Sequence, residues 1–240
     1  MFRPSVREVP RPGYHQDMSV VEQDLVIVSG TDAGEYLQTQ LTQDVLALDV
    51  GESAWSFLLK PKSEIIALMQ VTRSGDVQYT LEMESGSGDT VRRNIDEFLG
   101  RMDVSFEQRT VAVDVEDEQN RVERGWPRMG HEIDDSVTPV MTGIVAYAVA
   151  FEKGCYAGQE FVARVHYRDV APPKRLVHLV FDDNEKISEG AQIVLNGDDV
   201  GTVTSVARGI ALGYLKRGVD TPARAAVSDV AVDLLAIQPV

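Results

Sequence analysis

Residues 153–160 read Lys153-Gly154-Cys155-Tyr156-Ala157-Gly158-Gln159-Glu160. A thiol stands between two glycines, beside a cation and just ahead of a short helix expected over residues 160–167. The positive N-terminal end of that helix and the Lys153 ammonium would both favour thiolate over thiol. Gly154 and Gly158 let the backbone approach a ligand closely or take a positive φ, and Tyr156 offers a flat face to an aromatic heterocycle. Cys155 is the single cysteine of the chain, which excludes an intramolecular disulfide. A lone thiol cannot by itself build a metal or cluster site, and its residue type leaves it equally open to be a small buried hydrophobe.

Outward from this loop, helix and strand signals interleave. Upstream, Thr138 as N-cap with Pro139 at the first helical position opens a helix expected to run to about Phe151. Near the amino terminus, residues 25–28 read as a strand, and Asp32 and Glu35 then have capping-box spacing for a helix burying Leu37, Leu41 and Val45. Residues 54–59, 64–72 and 77–83 form a strand meander broken at Pro61-Lys62-Ser63 and Ser74-Gly75-Asp76. A helix follows with Val91, Ile95 and Phe98 on one face, then extended structure over 104–106 and 110–115; residues 116–118 and 125–137 read as loop. The fold class is therefore α+β.

Downstream, Ala171-Pro172-Pro173 ends the helix and marks a boundary, so the expected domains are residues 1–170 and 174–240. Short strands at 176–181, 192–195, 200–207, 210–215 and 232–237, divided by Gly, Asn and Asp, predict a small carboxyl-terminal β-barrel.

With 43% apolar residues the chain can bury a sizeable core, and 23 Lys and Arg against 38 Asp and Glu give a formal charge of -15. That balance opposes binding to a polyanion by counterion release and argues against direct nucleic-acid binding. Residues 151–175 are the local exception: Lys153, Arg164, Arg168, Lys174 and Arg175 outnumber Glu152, Glu160 and Asp169, with His166 among them. The apolar stretches at 65–69 and 144–151 fall well short of the roughly 20 residues that span a bilayer. Residues 1–11 lack the apolar centre of a signal peptide. The expectation is a cytoplasmic protein with no membrane partner.

Residues 153–160 match, at every fixed position, the pattern of the YgfZ family: K-G-C-Y, a variable residue, then G-Q-E. The resemblance extends to VSGTDAGEYLQTQLTQDV at 28–45, PKSEIIA at 61–67 and GTVTSVARGIALGYL at 201–215. It implies an aminomethyltransferase-like fold, with a folate-binding region of ferredoxin-like subdomains and a small carboxyl-terminal barrel. It further implies tetrahydrofolate or a derivative as ligand, and a role in maturation of iron-sulfur client proteins, enzymes of tRNA thiomethylation among them.

Cys155 and Lys153 then become the reactive pair, handling an iron-sulfur cluster transiently rather than as a resident metal. Tyr156, Gly158, Gln159, Glu160 and Arg164 are expected at the folate. Arg121-Val122-Glu123-Arg124-Gly125 is similar to the R-L-E-A-G stretch of aminomethyltransferases, whose acid contacts the pterin, so Glu123 inherits that role. A carboxylate suits it, since it can accept two hydrogen bonds from an aminopyrimidine edge. Arg164 can equally pair with Glu160 four residues earlier, His166 has the bland reading of an ordinary hydrogen-bonding histidine, and Trp55, Tyr79 and Trp126 are either pterin walls or core.

Three departures bear on function. Where transferases carry G-G-I-L-D-D-L, residues 63–69 read S-E-I-I-A-L-M, with Ala67 and Leu68 in place of the paired aspartates. A hydrocarbon side chain cannot accept a proton or stabilise an iminium, so aminomethyl or other one-carbon transfer ranks below iron-sulfur support, with a non-catalytic folate-binding scaffold as the third reading. Ser63 replaces the glycine of the P-K-G-R pattern, and Met141 stands where the transferase helix T-P-L-E carries its glutamate.

Overall fold

The computed structural model describes residues 18–168 and 171–237, so the readings made for residues 1–11 and 169–170 lie outside the described residues. Strands β1 (Met18–Ser29), β2 (Ser53–Leu59), β3 (Ile65–Gly75), β4 (Gln78–Glu84) and β5 (Ser105–Glu116) form one antiparallel sheet in the order β2-β3-β4-β1-β5. Helix α1 (Ala33–Gln40) follows β1 and α2 (Gly88–Asp96) follows β4. Without β2, the remaining elements are a complete ferredoxin-like βαββαβ unit, with β2 added at its edge.

Strict alternation gives this sheet two unlike faces. Val26 and Val28, Met69 and Val71, and Tyr79, Leu81 and Met83 point to one side, where Tyr36, Leu37, Val91 and Ile95 cover them in a closed apolar core. Each such fully buried side chain contributes about 2 kcal/mol. The other side carries a polar row: Trp55 pairs with Gln70, Gln70 with Glu82, and Glu84 lies opposite Gln23.

Several sequence expectations change here. Asp32 makes no side-chain cap to α1; its carboxylate instead accepts the Asp103 N–H at 2.7 Å, and Leu41 and Val45 are buried beyond the helix end. Phe98 lies past α2 and is 66% exposed. Residues 117–124, which carried no helix signal, form α3 (Glu118–Glu123), capped by Asp117 accepting the Asn120 N–H at 2.8 Å. The helix expected from Thr138 to Phe151 is split into a 3-10 turn (Pro139–Met141) and one turn of α4 (Val145–Ala148), with Gly143 at φ 81° between them. A positive φ cannot continue a right-handed helix. Helix α5 (Gln159–Arg168) follows the cysteine loop.

The remaining strands, β6 (Lys174–Val180), β7 (Gln192–Leu195), β8 (Asp198–Ala207), β9 (Ile210–Lys216), β10 (Ala223–Val227) and β11 (Val230–Ala236), close a six-stranded barrel. Strand β10 is an addition to the expected set. Leu179, Ile193, Val203, Leu215 and Leu234 fill the barrel, while Leu176, Leu212 and Tyr214 join Phe57, Val122, Ile133 and Tyr156 in a core shared with the sheet half. No helix among the described residues is long and apolar enough to cross a membrane.

Candidate functional site

The cysteine loop is tied to two distant turns. Lys153 Nζ donates to the carbonyl oxygens of Gln38, Leu41 and Gln43 at 2.7, 2.6 and 2.9 Å, gathering the end of α1 and the chain after it. Burial pushes this amine down to about 8, partly offset by Asp44. Three donors meet three carbonyls, so the Lys153 ammonium holds backbone, and among the described residues no hydrogen bond joins it to the Cys155 sulfur. Gly158, at φ 80°, lies against the β2–β3 turn, where an added β-carbon would stand 2.7 Å from the Lys60 carbonyl oxygen. Thus residues 38–43, 60–63 and 153–158, far apart in sequence, meet at one place.

Cys155 itself is exposed. Tyr156 is a core residue, 7% exposed beneath the Lys153 ammonium at 5.2 Å, and burial pushes its phenol up to about 12. It presents no free ring to a ligand. Gln159 begins α5, its N–H donating to the Tyr156 carbonyl at 3.3 Å. Arg164 pairs with Glu160 and lies over Phe161 at 5.3 Å, all on the outer surface of α5. The ion-pair alternative for Arg164 is the one realised. The side chain of His166 lies outside the described residues.

A cavity of about 650 Å³ opens on the polar face of the sheet. Gln23, Trp55, Gln70, Glu82 and Glu84 form its floor, and Glu118, Arg121, Arg124, Trp126, Arg128 and His131 rise over it. The indoles of Trp55 and Trp126 meet at 4.9 Å between ring centres with 54° between planes, and Tyr147 supports Trp126 from 6.1 Å. Arg124 lies over the Trp126 ring at 5.6 Å.

An ion network fixes the roof. Glu132, 1% exposed, accepts Arg121 Nη1 at 2.9 Å, the Ser205 hydroxyl at 2.6 Å and the Arg128 N–H at 3.1 Å. Arg121 Nε donates to Glu118 at 2.9 Å, and Arg128 Nη1 reaches the same carboxylate at 3.0 Å. Burial raises Glu118, but Arg121 and Arg128 overcome it and hold the carboxyl below its usual range. Ser205 lies on β8, so the barrel is hydrogen-bonded into the roof. Glu84 differs: burial dominates, and despite Arg128 and Arg121 its carboxyl is pushed up to about 7.

None of Cys155, Lys153, Tyr156, Gly158, Gln159, Glu160 and Arg164 is among the cavity-lining residues, nor is Glu123. The Glu123 carboxylate accepts Gln119 Nε2 at 2.7 Å, and that amide also donates to the Arg208 carbonyl at 3.2 Å, placing this side of α3 toward the barrel. Trp55 and Trp126 are cavity walls, whereas Tyr79 is buried on the opposite face of the sheet. Gln23, Gln70, Glu82, Glu84, Glu118, Arg128 and His131 are among the lining residues that sequence reasoning missed. One residue links the loop to the cavity wall: the Gln43 side-chain amide donates to the Trp55 and Tyr147 carbonyls at 3.3 and 3.0 Å, while its backbone carbonyl receives Lys153.

Residues 174–234 match the glycine cleavage T-protein C-terminal barrel domain. The crystal structure of the glycine cleavage system aminomethyltransferase T from Bartonella henselae superposes with a TM-score of 0.78, covering 92% of this chain and 85% of that one at 16% identity, a likeness of fold. An uncharacterised Haemophilus influenzae protein is 25% identical over 236 residues, 79% of this chain and 84% of its own. The tRNA-modifying protein YgfZ of Serratia proteamaculans is 31% identical over 130 residues, 49% of this chain and 38% of that protein. An aminomethyltransferase of Streptomyces avermitilis is 33% identical over 115 residues, 45% of this chain and 31% of the enzyme, so the match takes in about a third of the enzyme's length. The superposition and the barrel match define an aminomethyltransferase-like fold with a carboxyl-terminal six-stranded barrel. With the YgfZ relative beside the aminomethyltransferases, the chain is similar to YgfZ and T-protein-like proteins.

Proposed function

We propose that the protein binds tetrahydrofolate or a derivative in the cavity and, through the exposed Cys155 loop, supports assembly or repair of iron-sulfur clusters in client proteins, tRNA-modifying enzymes among them. This reading takes residues 1–170 as the folate-binding region and 174–240 as the barrel domain of a cytoplasmic protein. The cavity carries the ligand half of the proposal. Its volume of about 650 Å³ falls in the range that holds small ligands, its walls are two indoles, its floor offers acceptors for an aminopyrimidine and its roof offers guanidinium groups for a glutamate tail. A bound reduced folate would supply a one-carbon carrier; the chain's own residues hold and orient it.

The exposure of Cys155 supports the thiol half, because a reachable sulfur can, as thiolate, displace a client's cysteine from a cluster iron, the released thiolate taking up the proton. The cluster is then cargo, with further ligands drawn from the client. Among the described residues no group of three or more His, Cys, Asp or Glu is placed to hold a metal ion. Aminomethyl transfer is less well supported: Ala67 lies in the core beneath the sheet and Leu68 in the core shared with the barrel, so neither position offers the cavity a charge.

Both tryptophans of the chain line the cavity, so intrinsic fluorescence reports on it. Titration with tetrahydrofolate should change that emission saturably, and no change in emission or heat would remove the ligand half. Cys155→Ala should abolish client maturation while leaving folding and folate affinity intact. Full maturation by that variant would favour the scaffold reading, and formation of methylene-tetrahydrofolate from aminomethyl donors the transferase.

A further inference from the structure

We propose that the outer edge of β5 pairs antiparallel with β5 of a second copy of this chain, joining two five-stranded sheets into one continuous sheet.

Among the described residues β5 is the strand left with an open side. The barrel is closed, so its strands present no edge. At the far margin of the sheet β2 is covered: the Thr42 N–H donates to the Phe57 carbonyl at 3.1 Å, the Phe57 N–H to the Thr42 hydroxyl at 2.8 Å, and the Gln43 amide to the Trp55 carbonyl at 3.3 Å. Strand β5 pairs with β1 along its whole length, and among the described residues no hydrogen bond from another element reaches the backbone of residues 105–114. A strand bonded on one side directs alternate N–H and C=O groups outward. Edges that stay unpaired are commonly broken by proline, lysine or a bulge. Strand β5, SFEQRTVAVDVE, has no proline or lysine, and its register with β1 runs without the shifts seen between β2 and β3 and between β3 and β4.

Two exposed charges select the partner and the register. Glu107 and Arg109 lie two residues apart on one face of β5, and neither has an ion-pair partner among the described residues. A two-fold axis perpendicular to the sheet keeps like faces together, so residues opposite one another share parity. With that axis at Gln108, Glu107 of each copy faces Arg109 of the other, giving two opposite-charge pairs by symmetry. Phe106 then faces Thr110, an aromatic against a β-branched side chain, and Ser105 faces Val111. Moving the axis one residue either way sets Glu107 against Glu107 or Arg109 against Arg109, and like charges directly opposite are destabilising.

A ladder over residues 105–111 alone buries less than the roughly 1,200 Å² of stable complexes, so the pairing is reversible and concentration-dependent. The formal charge of -15 on each copy opposes approach, but salt screens that repulsion beyond about 8 Å while the facing pairs act at contact. The axis leaves both polar faces on one side, so the two cavities open in the same direction. Val113 and Asp114, which line the cavity, follow the ladder on the same strand.

The test follows sedimentation of the full chain from micromolar to near-millimolar concentration for wild type, Glu107→Arg, Arg109→Glu and an equimolar mixture of the two variants. Wild type should pass from monomer to dimer. Either variant alone sets like charges opposite one another twice and should raise the dissociation constant about tenfold or more. Mixing the variants restores opposite charges at both contacts, so a one-to-one dimer should return. Both side chains are exposed, so circular dichroism and the urea midpoint should match wild type, and recovery in the mixture shows that neither variant has merely misfolded. A wild type that stays monomeric, variants that dimerise as wild type does, or a mixture that stays monomeric where wild type pairs would each overturn the proposal. Slow amide exchange at residues 105–111 in a monomeric wild type would likewise overturn it, and would assign the edge to cover from within the same chain.

Discussion

Gly158 lies so near Ser63 that a β-carbon on the glycine would stand 3.2 Å from the serine α-carbon. Two of the stretches that carry the family resemblance, the cysteine loop and the Pro-Lys-Ser turn, therefore meet backbone to backbone. The first two predictions concern this contact.

Gly158→Ala introduces a methyl group 2.7 Å from the Lys60 carbonyl at a residue with φ 80°. Left-handed backbone and an immovable carbonyl together should destabilise the fold by about 2–3 kcal/mol. The urea midpoint should fall accordingly, and a value within error of wild type would show that the turn can retreat.

Ser63→Gly acts in the opposite direction. Ser63 has φ 64°, is 1% exposed, and its hydroxyl finds no hydrogen-bond partner. Glycine accepts that conformation and removes the unsatisfied group, so the variant should gain about 1 kcal/mol in chemical denaturation. A loss of stability would mean that the hydroxyl is satisfied in solution.

Much of this architecture was legible in the sequence, because period-two alternation in β2 to β4 and the turn residues between them are local signals. The functional surface was legible only in part. Thr80, Glu82 and Glu84 alternate with Tyr79, Leu81 and Met83, a pattern identical for a strand facing water and one facing a cavity. Helix α3 escaped notice because its six residues are too few to show a period, and only its Asp117 cap marks it. Glu123 was assigned by motif alone, yet a short helix turns its carboxylate toward Gln119 and the barrel while Glu118 and Arg121 face the cavity. The converging carbonyls that hold Lys153 come from residues 38–43, more than a hundred positions away, and no local pattern announces them.

Glu132→Ala removes the acceptor at the centre of the roof and leaves Arg121, 8% exposed, short of a partner. Loss of a buried pair of this kind costs about 3–5 kcal/mol. Thermal unfolding should shift down strongly, and Ser205→Ala, which removes one hydrogen bond, should shift it by far less. Equal effects would contradict a role for Glu132 as the hub.

The pH dependence of stability offers a check on the Glu84 carboxyl. Its folded carboxyl titrates near 7 against an ordinary 4.5, so its contribution is fully present below about 4.5 and lost as pH rises through about 7. Measured in urea, the stability of wild type relative to Glu84→Gln should therefore decline between pH 5 and pH 8. A constant difference would show that the carboxyl is not held in its protonated form.

One side of the central sheet holds the fold together while alternate positions on the other meet whatever enters the hollow. Such a division lets a lineage re-key its small-molecule preference by exchanging polar groups at 70, 82 and 84, with every methyl and ring on the underside left where it was. Relatives built on this scaffold can then diverge in chemistry while keeping one silhouette.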